Sequence, residues 1–352
     1  MASSVVITAL PAQEGDALLV ECRTPATFFT MLIDGGRAAA EPDIRTALKS
    51  VGRLDLLVVS HIDLDHIEGA VRLLQNDPPV RVGEIWFNGL THLTGGTVPP
   101  SFRDLAPSDG VELTAEIGRL KIPWNLAFGH GPVCVPHEGV VIRKDFGPVA
   151  LHVLSPDSAR LRALAQGSRA WLEDVQAPAR RSRFRSLGET AEPDVEALAA
   201  APDRNDTASP NGTSIAFLME FKDWRFLFTA DAHPRIVAAG LRGLGATEAD
   251  PLPIDLMKVS HHGSRENTTA ELLKLVKCTR FLVSGNGAHA TRPHDETLAK
   301  IIMANHEHKV IGFNYEHAAA ARWASASLQD KHGFQVRIQD TGNPVVFSRD
   351  DG

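Results

Sequence analysis

Two hydrophobic periods run through this chain, and the places where one gives way to the other mark out its elements. Residues 5–10, 17–21 and 28–34 are short aliphatic runs closed by Pro11 or by Gly35-Gly36, which predicts three strands. Between 42 and 51 the apolar positions Ile44, Leu48 and Val51 fall at helical spacing, and Gly52 supplies a stop. The apolar run 54–59 predicts a buried strand, followed by a helix reaching about residue 75 and a strand at 84–88. From 91 to 146 the pattern weakens, with glycines, prolines, His92, His130 and His137 scattered among short apolar stretches. It recovers at 149–154, then at 213–221 and 225–229, two strands turned at Lys222-Asp223. A helix at 234–241, a strand at 254–260, a helix at 269–276, a strand at 280–284 and a helix ending near 305 follow. The tail predicts strands at 310–313, 335–339 and 345–348 around a helical stretch, with one face in solvent.

Strands alternating with helices imply an α/β sheet, whose chemistry sits where strands end. Directly after the 54–59 run, Ser60-His61-Ile62-Asp63-Leu64-Asp65-His66 places two histidines and two aspartates within six residues. Such a turn converges only on strong positive charge, because Asp63 and Asp65 alone would repel each other and resist burial. A helix N-cap accounts for one aspartate and for neither histidine. The second half repeats the order strand, serine, histidine: Leu256-Met-Lys-Val-Ser-His261 echoes Leu56-Leu-Val-Val-Ser-His61.

Composition narrows the class. With 43% hydrophobic and 22% charged residues, the 352-residue chain has the balance of a soluble globular protein, read here as one domain over 1–352. A net charge of −7 argues against a protein-wide nucleic-acid surface, while 36 Lys and Arg leave room for a local basic groove. Cys22, Cys134 and Cys278 are odd in number and unpaired by any C-x-x-C, which predicts a reducing compartment and no disulfide framework. No apolar run approaches a membrane span and the first residues lack a signal peptide's basic start. A cytoplasmic location without a membrane partner is the expectation.

His61-x-Asp63-x-Asp65-His66, with Gly69 following, resembles the metal motif of the metallo-β-lactamase superfamily. It is more similar to the branch containing the hydrolase domain of the DNA-uptake protein ComEC. The superfamily at large writes H-x-H-x-D-H, and the ComEC-like branch commonly has aspartate where Asp63 stands. Glu14-Gly15-Asp16-Ala17 resembles that branch's opening G-x-G-D-A without its first glycine, and Ile33-Asp34-Gly35-Gly36 resembles a turn beneath the metals. Phe226-Leu-Phe-Thr-Ala-Asp231-Ala232 resembles a T-G-D-A segment whose aspartate bridges two metals, with Ala230 for the glycine. His261-His262-Gly263-Ser264 matches the branch closely.

The resemblance implies a four-layer αββα metallo-β-lactamase-like sandwich and two divalent metal ions. Zinc or manganese is expected and magnesium is compatible, since a carboxylate at Asp63 is a harder ligand than imidazole. The implied ligands are His61, Asp63, Asp65, His66, Asp231 and His261. His261 is preferred over His262 by its echo with His61, which leaves His262 to meet substrate or leaving group; Asp65 would also steer the nucleophile.

The superfamily's remaining histidine ligand, expected between His66 and Asp231, has no clear counterpart. His152 falls inside a strand and reads as a satisfied sheet residue. Asn211-Gly-Thr-Ser214 resembles an N-x-x-S run of the ComEC-like branch, so Asn211 either reaches the second metal or a phosphate oxygen, or forms an Asn-Gly turn. Ser284-Gly-Asn286 and Pro293-His294-Asp295-Glu296 resemble a later family segment, with Arg292 replacing its first histidine. His294 would orient substrate or protonate a leaving group, or merely start a helix. Ser264, Arg265, Asn286 and Arg292 are the expected holders of phosphate oxygens.

The branch implies a phosphodiesterase or nuclease acting on DNA or RNA through metal-activated hydroxide. Alternatives are a regulatory or binding module with weak catalysis, for which the missing histidine argues, and a lactonase or lactamase, which Asp63 and the His-His-Gly-Ser run disfavour. Residues 159–209 are rich in alanine and arginine and broken by Pro178, Pro193 and Pro202, with Arg180, Arg181, Arg183 and Arg185 at their centre. They read as a partly helical, partly mobile insertion that either is a passive surface insertion or would cover the site, touch nucleic acid, or be cut by a regulatory protease.

Overall fold

Short aliphatic runs need cover on both faces, and this chain supplies it by stacking two mixed sheets between layers of helix. The computed structural model describes residues 3–93, 108–164, 192–288, 292–339 and 345–350. Its strands are β1 (Ser4–Ala9), β2 (Leu18–Arg23), β3 (Phe28–Ile33), β4 (Leu54–Val58), β5 (Val82–Trp86), β6 (Ile142–Phe146), β7 (Val149–Ser155) and β8 (Ala216–Phe221). They continue with β9 (Trp224–Phe228), β10 (Leu252–Ile254), β11 (Leu256–Lys258), β12 (Val276–Cys278), β13 (Arg280–Val283), β14 (Lys309–Phe313), β15 (Phe334–Ile338) and β16 (Val345–Asp350). The longer helices are α1 (Glu41–Val51), α2 (Leu64–Gln75), α3 (Ser108–Leu120), α4 (Pro234–Gly243) and α5 (Asp295–Met303).

One sheet runs β16-β1-β2-β3-β4-β5 and the other β15-β14-β13-β11-β9-β8-β7-β6. Each joins an antiparallel meander to a parallel half: β3, β4 and β5 are parallel in the first, and β9, β11, β13, β14 and β15 in the second. Three apolar clusters separate the layers. Ile7, Val20, Met31 and Val58 meet Phe217, Met219, Phe226 and Phe228 between the sheets. Leu32 and Leu57 pack outward with Ile44, Leu48, Ile67 and Leu74, and Leu218, Leu227 and Met257 with Val237, Leu241 and Leu298. Phe217, Leu218 and Met219 thus alternate between two cores, as a pleated strand buried on both faces must. This is the αββα sandwich.

The weak region 91–146 contains α3, which the sequence reading missed. Its Leu113 and Ile117 are buried in the same cluster as Val71 and Leu74 of α2, but Gly110 and Gly118 dilute the helical signal. The run 254–260 is interrupted: β10 pairs with β12 in a separate small sheet, and β11 joins the main one. His152 Nε2 lies 2.8 Å from Glu220 Oε2 across the β7–β8 ladder, as a satisfied sheet histidine. The arginine cluster 180–185 lies outside the described residues. Among the described residues, no helix is long and apolar enough to cross a membrane.

The topology gathers the chemistry on one edge. Asp34 follows β3, residues 60–66 follow β4, Asp231 follows β9, residues 260–264 follow β11, and Ser284 follows β13. All are C-terminal ends of parallel strands, where neighbouring turns open a crevice.

Candidate metal centre

Asp34 sets the first half-site. Its backbone sits at a positive φ of 60°, and its carboxylate accepts from Ser60 N at 2.7 Å and Ser60 Oγ at 2.8 Å. His66 Nδ1 lies 2.8 Å from the same carboxylate, which fixes the proton on Nδ1 and presents Nε2. His61 Nδ1 is held by Ser60 Oγ at 3.0 Å, so it too presents Nε2. Asp63 stands just before helix α2, but its side chain makes no cap hydrogen bond. Its Oδ2 lies 3.5 Å from His61 Nε2 instead, so the capping alternative is not what this aspartate does.

The second half-site faces the first across the sandwich. Asp231 Oδ2 lies 3.1 Å from His261 Nε2, 3.5 Å from His66 Nε2 and 3.8 Å from His61 Nε2. His262 Nε2 lies 3.3 Å from Asp65 Oδ2, which is 4.0 Å from His66 Nε2. The ligand atoms of His61, His66 and Asp231 lie mutually within 4.8 Å, as do those of Asp65, His66 and His262. Ligand atoms about 2.1 Å from one cation stand about 3.0–3.4 Å from each other; the His261–Asp231 and His262–Asp65 distances fall in that range, and the His66–Asp231 and His61–Asp231 distances lie just beyond it.

The residues fit a divalent cation on a further ground. His61 Nε2, His66 Nε2, His262 Nε2 and Asp231 Oδ1 are buried without a hydrogen-bond partner among the described residues. Buried polar atoms are rarely left so, and His61, His66 and Asp231 offer donor atoms within 4.8 Å of one another. The charge balance agrees. Burial acts to lower His66, yet Asp231, Asp65 and Asp34 drive it well above the ordinary histidine value. Burial acts to raise Asp231, and His261 and His66 hold it well below the ordinary range. Asp65 is likewise lowered against its burial by His66 and His262. A pocket that draws protons onto buried imidazoles draws cations by the same field.

Beneath His262 lies a buried ion pair. Lys258 Nζ is 2.9 Å from Asp16 Oδ2, with side chains 1% and 2% exposed. Asp16 also accepts from Ser284 Oγ, whose oxygen lies 3.3 Å from His262 Nδ1. Burial raises the Asp16 carboxyl, but Lys258 and His262 outweigh it and keep it lowered. Lys258→Met should leave Asp16 uncompensated and cost about 3 kcal/mol in urea unfolding, with the added change Asp16→Asn recovering part of the loss.

Of the other expected site residues, Asn211 is buried, donates to Asp206 Oδ2 at 2.6 Å and lies 3.4 Å from His261 Nδ1. Ser264 Oγ accepts from Glu266 N at 3.2 Å. Arg265 pairs with Glu296 at 2.7 Å, and its backbone N donates to His294 Nδ1 at 3.1 Å. Arg292 is half-buried beside them, and Asn286 N is bound to Gln13 O at 2.9 Å. Accepting at Nδ1 leaves His294 with its proton on Nε2, a donor for a substrate oxygen. Burial first, then the charges of Arg265 and Arg292, press His294 down to about 4.

The sign of the pH effect follows. Between about pH 4 and 6.5 the unfolded chain binds this proton and the folded chain does not, so the stability His294 contributes is complete above 6.5 and lost as pH falls towards 4. His294→Asn should therefore flatten the fall in melting temperature across that window.

Sequence reasoning assigned no role to Lys258, Asp206 or Asn267. Lys258 had a signal: a lysine inside an apolar strand run must find a buried partner. Asp206 lies where no periodicity guides the eye, and Asn267 reads as an ordinary loop residue before a helix.

No curated protein matches the chain in sequence. Among solved structures, the metallo-β-lactamase fold protein YhfI from Bacillus subtilis is 11% identical at a TM-score of 0.40, covering 99% of this chain and 100% of its own. Yeast PDE1 is 11% identical at 0.41, covering 99% and 100%. A Cronobacter sakazakii metallo-β-lactamase is 16% identical at 0.30, covering 72% and 76%. Overlap of this extent says nothing about substrate. Residues 14–285 match the metallo-β-lactamase superfamily, and the chain belongs to that superfamily, most of whose members are metal-dependent hydrolases.

Proposed function

We propose that the chain is a dinuclear metal-dependent phosphodiesterase, a nuclease acting on DNA or RNA. The observation that carries the metal-dependent part is the set of donor atoms gathered around His66 Nε2, with His61 and Asp231 on one side and Asp65 and His262 on the other. On this reading His262 would serve as a ligand rather than meet substrate or leaving group. Bound there, two divalent cations would supply hydroxide near neutral pH and offset charge on a phosphate.

The chain's own residues do the rest. Asp34 and Ser60 hold the imidazoles of His66 and His61 in the presenting tautomer. Asp65, at the helix start beside His262, would accept a proton from an attacking water. Arg265, whose guanidinium also pairs with Glu296, Arg292 and His294 Nε2–H would offer donors to non-reacting phosphate oxygens. The phosphodiester preference rests on Asp63 and on the His261-His262-Gly263-Ser264 run, where the chain resembles the ComEC-like branch.

The test is a substrate panel: single-stranded DNA, duplex DNA, RNA, a lactone and a β-lactam, each with zinc, manganese and magnesium. Cleavage of a nucleic acid, with binding that weakens as salt rises, is expected, because a local basic groove must work against the overall −7. Hydrolysis of lactone or β-lactam alone sinks the phosphodiester reading. Tight metal binding with no turnover would point to a regulatory module.

A further inference from the structure

We infer that His261 and His262, adjacent in sequence, ligate different cations, and that His261 fills the place of the histidine the chain lacks between His66 and Asp231. The inference rests on the dinuclear reading above. It explains why two consecutive non-glycine residues adopt the left-handed region, His261 at φ 50°, ψ 51° and His262 at φ 52°, ψ 28°. Each such residue costs on the order of 1–3 kcal/mol and persists only where its surroundings impose it. The geometry turns the two rings 69° apart, with centroids separated by 6.0 Å. Gly263 completes the turn at φ 86°, pressed so closely on Pro293 that a Cβ there would stand 2.4 Å from the proline Cβ.

The two rings have separate partners at both nitrogens. His262 Nε2 faces Asp65 Oδ2 at 3.3 Å, and its Nδ1 lies 3.3 Å from Ser284 Oγ. His261 Nε2 faces Asp231 Oδ2 at 3.1 Å, and its Nδ1 lies 2.9 Å from Asn267 Oδ1. Asn267 Nδ2 is committed to Asp206 Oδ2 at 2.8 Å and to the Asp231 carbonyl at 3.1 Å, so its oxygen must face His261. His261 therefore donates from Nδ1 to Asn267 and aims Nε2 at Asp231. An imidazole nitrogen and a carboxylate oxygen 3.1 Å apart need a positive charge between them, and a cation ligated by both supplies it.

Asp206 ties this to the missing histidine. It precedes Asn211 in the stretch where that histidine is expected, and its Oδ2 also accepts from Asn211 Nδ2 at 2.6 Å. The segment contributes a carboxylate that positions Asn267, and Asn267 positions His261. Asp206 and Asn267 are positioning residues.

The experiment uses the full chain, stripped with chelator and titrated with zinc under equilibrium dialysis, with folding checked by thermal melting. Wild type is expected to hold two ions. His261→Ala and His262→Ala should each keep one tightly bound ion, and the double variant none. Asn267→Ala should weaken the ion that His261→Ala loses by roughly 10–100-fold, and should add little in the His261→Ala background. Two ions bound to His261→Ala at wild-type affinity would overturn the inference and leave the dinuclear reading standing. One ion kept by the double variant would mean that both histidines serve a single cation, and would overturn it as well. Wild type binding no ion would sink the dinuclear reading itself.

Discussion

Asp231→Asn should lower hydrolysis by roughly 10³-fold or more, because one oxygen at the meeting point of three imidazoles loses its charge while the side chain keeps its volume. Zinc affinity should fall in parallel, and circular dichroism should stay unchanged, since Asp231 anchors no element by its carboxylate. His61→Ala and Asp65→Ala are expected to abolish activity too, each from within a different donor group. A wild-type rate in Asp231→Asn would show that the cluster is structural only.

The second large effect is on stability. Gly69 of α2 lies against the turn after β3 so closely that a Cβ would stand 1.9 Å from Gly35 O, and a Cβ on Gly35 would stand 2.2 Å from Ala70 N. Gly15 makes a similar approach, with its Cβ direction meeting Asp65 O at 1.6 Å. These are backbone atoms on both sides, so no rotamer change relieves the clash. Gly69→Ala should therefore cost at least about 4–5 kcal/mol in urea unfolding and displace the start of α2, taking Asp65 and His66 with it. Gly52→Ala is the comparison: nothing lies within 4 Å, so only its φ of 78° is strained, worth about 1–2 kcal/mol. Equal costs at the two positions would contradict the close-packing argument.

Those glycines also show what the sequence made legible. Gly35, Gly36 and Gly69 stood out beside the metal-type motif, and the packing of α2 on the β3 turn gives the physical reason. The paired half-sites were legible because the same order of strand, serine and histidine occurs at β4 and β11, and both strands run parallel to a neighbour followed by an aspartate. Less of the histidine pair could be read. Adjacent residues on an extended strand point to opposite sides, so an echo with His61 favoured His261 alone. The left-handed turn at 261–263 breaks that rule and brings both rings to the site. The network of Asp206, Asn211 and Asn267 joins residues about 60 apart through side-chain amides, and no local period encodes such contacts. Helix α3 escaped for a different reason: few of its residues are buried, and its glycines blur the apolar stripe.

The central claim is that two cations and phosphodiester cleavage belong to one site. Elemental analysis of the chelated chain rebuilt with zinc, manganese or magnesium, with the same samples assayed on single-stranded DNA, tests it most directly. About two ions per chain and cleavage should be gained together and lost together on chelation. Cleavage that persists in a metal-free chain, or two ions held with every phosphodiester left intact, would contradict it.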